Sequence, residues 1–336
     1  MMWDLETERV INEIKQNNAK RILFQAPEGL KLSVEKEIDR IKKYLKADNN
    51  YNNIDNNSEE VELILWGESC FGACDLCDIE GLKSIGIDLI IHYGHEELPY
   101  AKPEIPTIFV HAYYKPDDER LKIIRDDIKK ILNTYGKGHT IVATTIQFKK
   151  MLKDYNPAVI LGCRANIGDK EAEDIDNILF VGTGRFHPLM LAYKFKKPVD
   201  IYNPITGELS KITDDEIKKF IKKRIGAISK LLLNPPKKIG VVLSTKKGQC
   251  RINVFNNILG ILKENSINYT PILLNNISPN YLIYDVDAYI ICACPRIVLD
   301  DYLNYKKPLL TPKEFEMYIS KDFDYKFDEI SFNDFR

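Results

Sequence analysis

The sequence predicts an α/β protein built from three similar β-α-β units with parallel sheets. Three observations predict it. Short continuous apolar runs recur along all 336 residues, each too short for a helix and lacking the alternation of a strand with one wet face. Longer amphipathic stretches separate them, as crossover helices between parallel strands require. Two breaks, Tyr114-Lys115-Pro116 and Asn234-Pro235-Pro236, divide the pattern into domains of comparable length at 1–115, 116–234 and 235–336.

The elements follow in order. Arg21–Ala26 is an apolar run closed by Pro27-Glu28-Gly29, and a helix with Leu32, Val34, Ile38, Ile41 and Leu45 follows. Ala47–Glu60 carries six asparagines without periodicity and reads as a solvated loop insertion. Val61–Trp66, Asp88–Tyr93 and Thr107–His111 complete the strands of the first unit. The second opens with a helix over Asp117–Leu132, acidic in its first turn, before strands at Thr140–Thr144, Ala158–Leu161, Ile178–Val181 and Val199–Tyr202. Thr213-x-x-Glu216 is a capping box, opening a helix with Ile217, Phe220, Ile221, Ile228 and Leu231 on one face and lysines on a solvated one. The third unit has strands at Ile239–Ser244, Tyr269–Leu274 and Asp287–Cys292, with a helix over Asn253–Glu264.

Composition narrows the function classes. Lys and Arg number 48 and Asp and Glu 49, a net charge of −1. This excludes bulk attraction to nucleic acid or an anionic membrane surface. No apolar run approaches the ~18 residues of a membrane span. The acidic N-terminal stretch is not a signal peptide, so the expected compartment is the cytoplasm and no membrane partner is expected.

Seven cysteines, an odd number, stand at 70, 74, 77, 163, 250, 292 and 294. In a reducing compartment structural disulfides are not expected. Three of the sites directly follow strands: Gly67–Cys77 after Val61–Trp66, Gly162-Cys163 after Ala158–Leu161, and Ala293-Cys294-Pro295 after Asp287–Cys292. Open α/β sheets bind their ligands beyond the carboxyl ends of strands, so each unit offers a thiol there. Thiolates select zinc, copper(I) or iron–sulfur clusters. Structural zinc needs a second tight cysteine pair, which Cys163 and Cys292-x-Cys294 do not make. A three-thiolate [4Fe–4S] cluster with one open iron fits better. It can be built in two ways. Cys70-x3-Cys74-x2-Cys77 has the spacing of conventional radical S-adenosylmethionine (SAM) enzymes and would hold it in one loop. The alternative takes one cysteine from each unit, around a central cluster site. Cys292 reads as core packing, and Cys250 has no assigned role.

Other residues have bland readings of their own: Gly182-Thr183-Gly184-Arg185 as a turn, His92 and His95 as structural histidines, Glu28 as a surface turn residue. As a functional site, the glycine turn could present N–H groups to an anion and Arg185 could pair with a carboxylate.

Seven words occur in a fixed order: Gln25-Ala26-Pro27-Glu28-Gly29-Leu30, Gly72-Ala73-Cys74-Asp75, His92-Tyr93-Gly94-His95, Leu161-Gly162-Cys163, Gly182-Thr183-Gly184-Arg185-Phe186-His187-Pro188, Lys247-Gly248-Gln249 and Cys294-Pro295-Arg296. Together, from about residue 20 to about residue 312, they resemble the archaeal 2-(3-amino-3-carboxypropyl)histidine synthase family, which catalyses the first step of diphthamide biosynthesis. The resemblance implies cluster ligands at Cys74, Cys163 and Cys294. It implies co-substrate-side candidates at Gln25, Glu28, Gly29, His92, His95, Gly182, Gly184, Arg185, His187, Gln249 and Arg296. It implies transfer of the 3-amino-3-carboxypropyl group of SAM, as a radical, to a histidine of translation elongation factor 2. A homodimer, an external electron donor and no direct nucleic-acid binding go with it. The rival from another class is a non-enzymatic iron–sulfur relay subunit.

Overall fold

A computed structural model describes residues 2–47, 61–77, 80–164 and 175–335. Most of the expected insertion at Ala47–Glu60 therefore lies outside the described residues. The chain forms two compact units, one of Met1–Ile123 with Thr145–Tyr155 and the other of Ile124–Thr144 with Asn156–Arg336.

The first unit contains strands β1 (Trp3–Asp4), β2 (Arg21–Gln25), β3 (Glu62–Leu65), β4 (Leu89–Tyr93), β5 (Thr107–Val110) and β6 (Tyr113–Tyr114). Four of them make a fully parallel sheet in the order β3-β2-β4-β5, while β1 and β6 pair antiparallel as a separate two-stranded ribbon. The side-chain period of two splits its core. Ile22, Phe24, Leu89, Ile91 and Tyr93 pack with helices α1 (Thr7–Gln16) and α2 (Lys31–Ala47), whereas Leu23 and Ile90 pack on the opposite face with Cys77, Leu82, Ile87 and Ile105.

The second unit contains two sheets. One has the order β11-β10-β9-β7-β8, from β7 (Thr140–Thr144), β8 (Ala158–Val159), β9 (Asn177–Val181), β10 (Val199–Tyr202) and β11 (Leu209–Ile212). It is parallel except for β11, which pairs antiparallel with β10. The other, fully parallel, has the order β13-β12-β14-β15, from β12 (Lys238–Ser244), β13 (Asn268–Leu274), β14 (Ala288–Cys292) and β15 (Leu309–Leu310). Gly240 makes β12 possible beside β14: a Cβ there would stand 2.5 Å from the Tyr289 ring.

The expected strands and helices are present, most within a residue or two of the expected ends. Ala158–Leu161 is the exception, pairing only over Ala158–Val159. At Thr213 the cap is one-sided: its hydroxyl accepts from the Glu216 N–H (3.2 Å), but the Glu216 carboxylate binds Arg185 instead of returning to the cap. The helix it opens, Asp214–Leu233, buries Ile217, Ile228 and Leu231 as expected and also Arg224, which pairs with Glu314 at 2.5 and 2.7 Å. Among the described residues, no helix is long and apolar enough to cross a membrane.

Candidate metal centre

In the first unit the site begins with strand register. Gln25 ends β2 and stands opposite His92, the penultimate residue of β4. The Gln25 amide cannot flip, because its Nε2 donates to the Asp75 carbonyl (2.8 Å) and its Oε1 accepts from the Cys77 N–H (3.2 Å). Oε1 also lies 2.7 Å from His92 Nδ1, so that nitrogen carries the proton and His92 Nε2 carries a lone pair. His92 Nε2 faces His95 Nδ1 at 3.0 Å. Burial, with His95 beside it, holds His92 well below the ordinary imidazole value. Burial also brings His95 down to about 4, against a hydrogen bond to the Tyr93 carbonyl. Both rings are therefore neutral at pH 7.

The loop after β3 is tied by Asp75, whose carboxylate accepts from the Phe71 N–H (3.2 Å) and whose own N–H reaches the Gly72 carbonyl (2.9 Å). Its three thiols have different surroundings. Cys70 is buried and has its sulfur within 4.8 Å of ring nitrogens of His92 and His95. Cys74 is partly exposed beside Ala73, Leu98 and Ala101. Cys77 is enclosed by Leu23, Leu82, Ile87 and Ile90. Gly94 joins two of the sequence words: its φ is +85°, and a Cβ would meet Leu30 at 3.1 Å and Pro27 at 3.2 Å. Glu28 points outward and pairs with Lys31 (2.8 Å), and Gly29 borders open space.

In the second unit the structure brings Cys163 and Cys294 together, with their sulfurs 3.8 Å apart. The hydrogen bond from Cys163 lowers the Cys294 thiol pKa most; burial opposes it, and the Arg296 backbone and charge reinforce it. Arg296 lies over the Phe186 ring at 4.6 Å and pairs with Asp300 at 2.9 Å. His187 follows Phe186, stacks on Phe180 and lies 3.2 Å from the Gly162 carbonyl through Nε2. Burial, helped by Arg296, brings its pKa down to about 4. Neutral at pH 7, it donates Nε2–H to that carbonyl. These are soft donors beside a cation, an environment that favours thiolate and suits iron–sulfur or zinc.

The glycine turn is less open than its sequence suggests. The Gly182 N–H is taken by the Tyr202 carbonyl (3.0 Å), while Gly184, at φ +78°, borders open space. Arg185 does bind a carboxylate, that of Glu216, at 2.6 and 2.8 Å. Gln249 is buried in a turn after β12. Cys292 is fully buried among Val241, Ile258 and Ile290, which raises its thiol pKa, and burial also raises that of Cys250.

Sequence reasoning missed the support behind Cys294. Arg251 is buried, grips Asp328 through two nitrogens (2.7 and 2.9 Å) and Asp334 through Nε (2.8 Å), and reaches the carbonyl of Ala293 (3.4 Å). Its place after Lys247-Gly248-Gln249-Cys250 was the only available signal, since both carboxylates lie more than seventy residues downstream.

Comparison with known proteins follows the same lines. Residues 26–330 match the family model described as "Putative diphthamide synthesis protein". The chain is 56% identical, over 99% of its length and 95% of the relative's, to 2-(3-amino-3-carboxypropyl)histidine synthase of Methanocaldococcus jannaschii. It is 34% identical to the enzyme of the same name from Pyrococcus horikoshii, covering 98% of this chain and 94% of that one. The crystal structure of Dph2 from Pyrococcus horikoshii superposes with a TM-score of 0.79 at 31% identity, over 98% of this chain and 95% of that one. The crystal structure of that protein with a 4Fe-4S cluster gives a TM-score of 0.78 over the same shares.

Proposed function

The chain belongs to the diphthamide synthesis protein family, and from that premise we propose that it moves the 3-amino-3-carboxypropyl group of SAM onto a histidine of translation elongation factor 2. It is a transferase of the 2-(3-amino-3-carboxypropyl)histidine synthase type. The observation that carries the reading is the thiol pair Cys163–Cys294 beside the Arg296 cation, in a chain whose structural neighbour was solved with a 4Fe-4S cluster.

The donor set fits such a cluster: two adjoining thiols at strand ends, one of them already favoured as thiolate. Cys163 and Cys294 would hold it, with Cys74 as the third ligand. When bound and reduced, the cluster supplies one electron for cleaving the bond between the SAM sulfur and the Cγ of its methionine part. The protein's own groups do the positioning, which decides which carbon–sulfur bond is aligned for cleavage. Arg296 offsets the negative charge of the thiolates, and Phe186 and Asp300 hold it in place. Arg185 is the candidate for the methionine carboxylate, which would exchange with Glu216. Gly182, Gly184, His187 and Gln249 are further co-substrate-side candidates in the same unit. The neutral His187 donates its Nε2–H hydrogen bond to the Gly162 carbonyl and steadies the turn before Cys163. A cytoplasmic homodimer served by an external electron donor completes the reading.

The test is anaerobic incubation with dithionite, SAM and an archaeal elongation factor 2. Methylthioadenosine, with the mass of one 3-amino-3-carboxypropyl group added to the factor, is the expected result. Predominant 5′-deoxyadenosine would overturn the reading in favour of conventional radical SAM chemistry. An intact, reducible cluster that leaves SAM untouched would favour a relay subunit.

A further inference from the structure

We propose that Cys70, His92 and His95 form a binding site for one zinc-class divalent cation, held by the first unit alone and additional to the iron–sulfur centre. Among the described residues they are the group of three metal-ligating side chains whose donor atoms all lie within 4.8 Å of one another. One thiolate and two imidazoles are soft-to-borderline donors. They suit zinc and offer nothing to magnesium or calcium, which require oxygen ligands.

The surroundings are organised for ligation. A metal-bound histidine characteristically donates its other ring N–H to a fixed acceptor. His92 has that acceptor in Gln25 Oε1 (2.7 Å), and Gln25 is itself fixed by two backbone groups. The result is a buried imidazole whose Nε2 lone pair is aimed at His95. The two facing nitrogens stand 3.0 Å apart. Two nitrogens bound to one tetrahedral zinc, at ~2.0–2.1 Å each, stand about 3.3 Å apart. The metal would thus occupy the place of the shared proton, with His95 moving its proton to Nε2. The Cys70 sulfur lies within 4.8 Å of both nitrogens, and a sulfur and a nitrogen on one tetrahedral zinc stand about 3.5 Å apart, so the thiol need close by no more than about 1.3 Å. Cys70 lies in the loop that the Asp75 carboxylate ties at the Phe71 N–H, so its backbone is set before any metal arrives. A three-ligand site of this kind leaves the fourth zinc position to water.

The test uses the full chain carrying its reconstituted cluster, loaded with one equivalent of zinc, dialysed anaerobically and measured by zinc-edge X-ray absorption. The expected shell holds one sulfur at about 2.3 Å and two imidazole nitrogens at about 2.0–2.1 Å. Cys70→Ser should remove the sulfur, and His95→Gln should remove one imidazole. Gln25→Leu, which touches no metal in this arrangement, should weaken zinc binding by about 10–100-fold, the usual effect of losing an outer hydrogen-bond partner. Circular dichroism and iron content check that each variant is folded and loaded. Zinc lost on dialysis from the unaltered chain would overturn the proposal. So would a shell of two or more sulfurs indifferent to Cys70→Ser, which would put the metal on the cluster thiols. The zinc shell is read without reference to SAM turnover, so this inference and the transferase reading fail separately.

Discussion

Replacing Arg251 by Met tests how the Cys294 loop is held. The guanidinium joins Asp328 at 2.7 and 2.9 Å, Asp334 at 2.8 Å and the Ala293 carbonyl at 3.4 Å. Asp328 is 1% exposed, so water cannot replace the lost cation. Breaking a buried pair by removing one partner costs roughly 3–5 kcal/mol. With an m-value of about 2–3 kcal/mol per molar urea, the midpoint should fall by about 1–2 M. Burial already holds the Asp328 carboxyl above its ordinary value in spite of Arg251, and without the cation it rises further. The folded variant then keeps a proton that the unfolded chain releases. Its stability therefore falls as pH rises from the ordinary carboxyl value through the raised folded one. Urea titrations followed by circular dichroism at about pH 5 and about pH 8 should show the larger loss at the higher pH. Iron content should fall as the Cys294 loop loosens. Arg251→Met with Asp328→Leu should recover much of the stability, because no orphaned charge remains at Asp328. A single variant within about 1 kcal/mol of the unaltered chain at the higher pH, or a double variant no better than the single one, would refute the argument.

Other outcomes follow from local geometry. Gly240→Ala should cost about 1–3 kcal/mol in thermal or urea unfolding, because the new methyl meets the buried Tyr289 ring at 2.5 Å. Gly260→Ala, with nothing within 4 Å, should instead stabilise its helix by about 0.5–1 kcal/mol. Cys163→Ala and Cys294→Ala should each lower iron and sulfide content in anaerobic preparations, whereas Cys292→Ala should keep both, since Cys292 packs in the core. His95 and His187, with pKa values near 4, should show imidazole NMR signals that do not titrate between about pH 6 and 8. As pH drops below the ordinary imidazole value the unfolded rings take protons that the folded ones refuse. Their contribution to stability is therefore present at neutral pH and is lost toward pH 4, measurable as a falling urea midpoint.

The strands were legible because parallel strands covered on both faces are written as unbroken apolar runs. Ala158–Leu161 read as one of them yet pairs over two residues, since Leu161 is 39% exposed and the chain turns at Gly162. The short β6, β11 and β15 were not legible, because two to four residues carry too little periodicity. Burial of charge was invisible for a different reason. Arg224 sits in a run of lysines and looks like them, and only tertiary contact with Glu314, ninety residues away, makes it core. At the site, the words located the thiols and histidines but not their company. In the sequence Arg185 reads as a carboxylate binder, and in the fold its partner is the chain's own Glu216. Spacing groups Cys70 with Cys74 and Cys77, whereas the fold sets it near the donors His92 and His95. Such pairings depend on which strands become neighbours, which spacing along one chain does not encode.

Strand order explains why the polar residues of the first unit converge instead of scattering. In β2 and β4 the paired positions Leu23↔Ile90 and Gln25↔His92 stand two residues apart along one face of the sheet. The inner pair is apolar and packs with Cys77, and the pair at the carboxyl end is polar and hydrogen-bonded. Odd and even positions thus divide the labour. The alternate residues Ile22, Phe24, Ile91 and Tyr93 hold the helices on the other face, so a slip of one residue would put Gln25 and His92 among the apolar side chains under the helices and send that core to the Cys77 face. The energy that fixes the register is apolar burial one and two residues along the same strands, and the site inherits its geometry from that burial. Conservative changes at Leu23 or Ile90 should therefore shift stability first, and disturb His92 only when the register itself gives way.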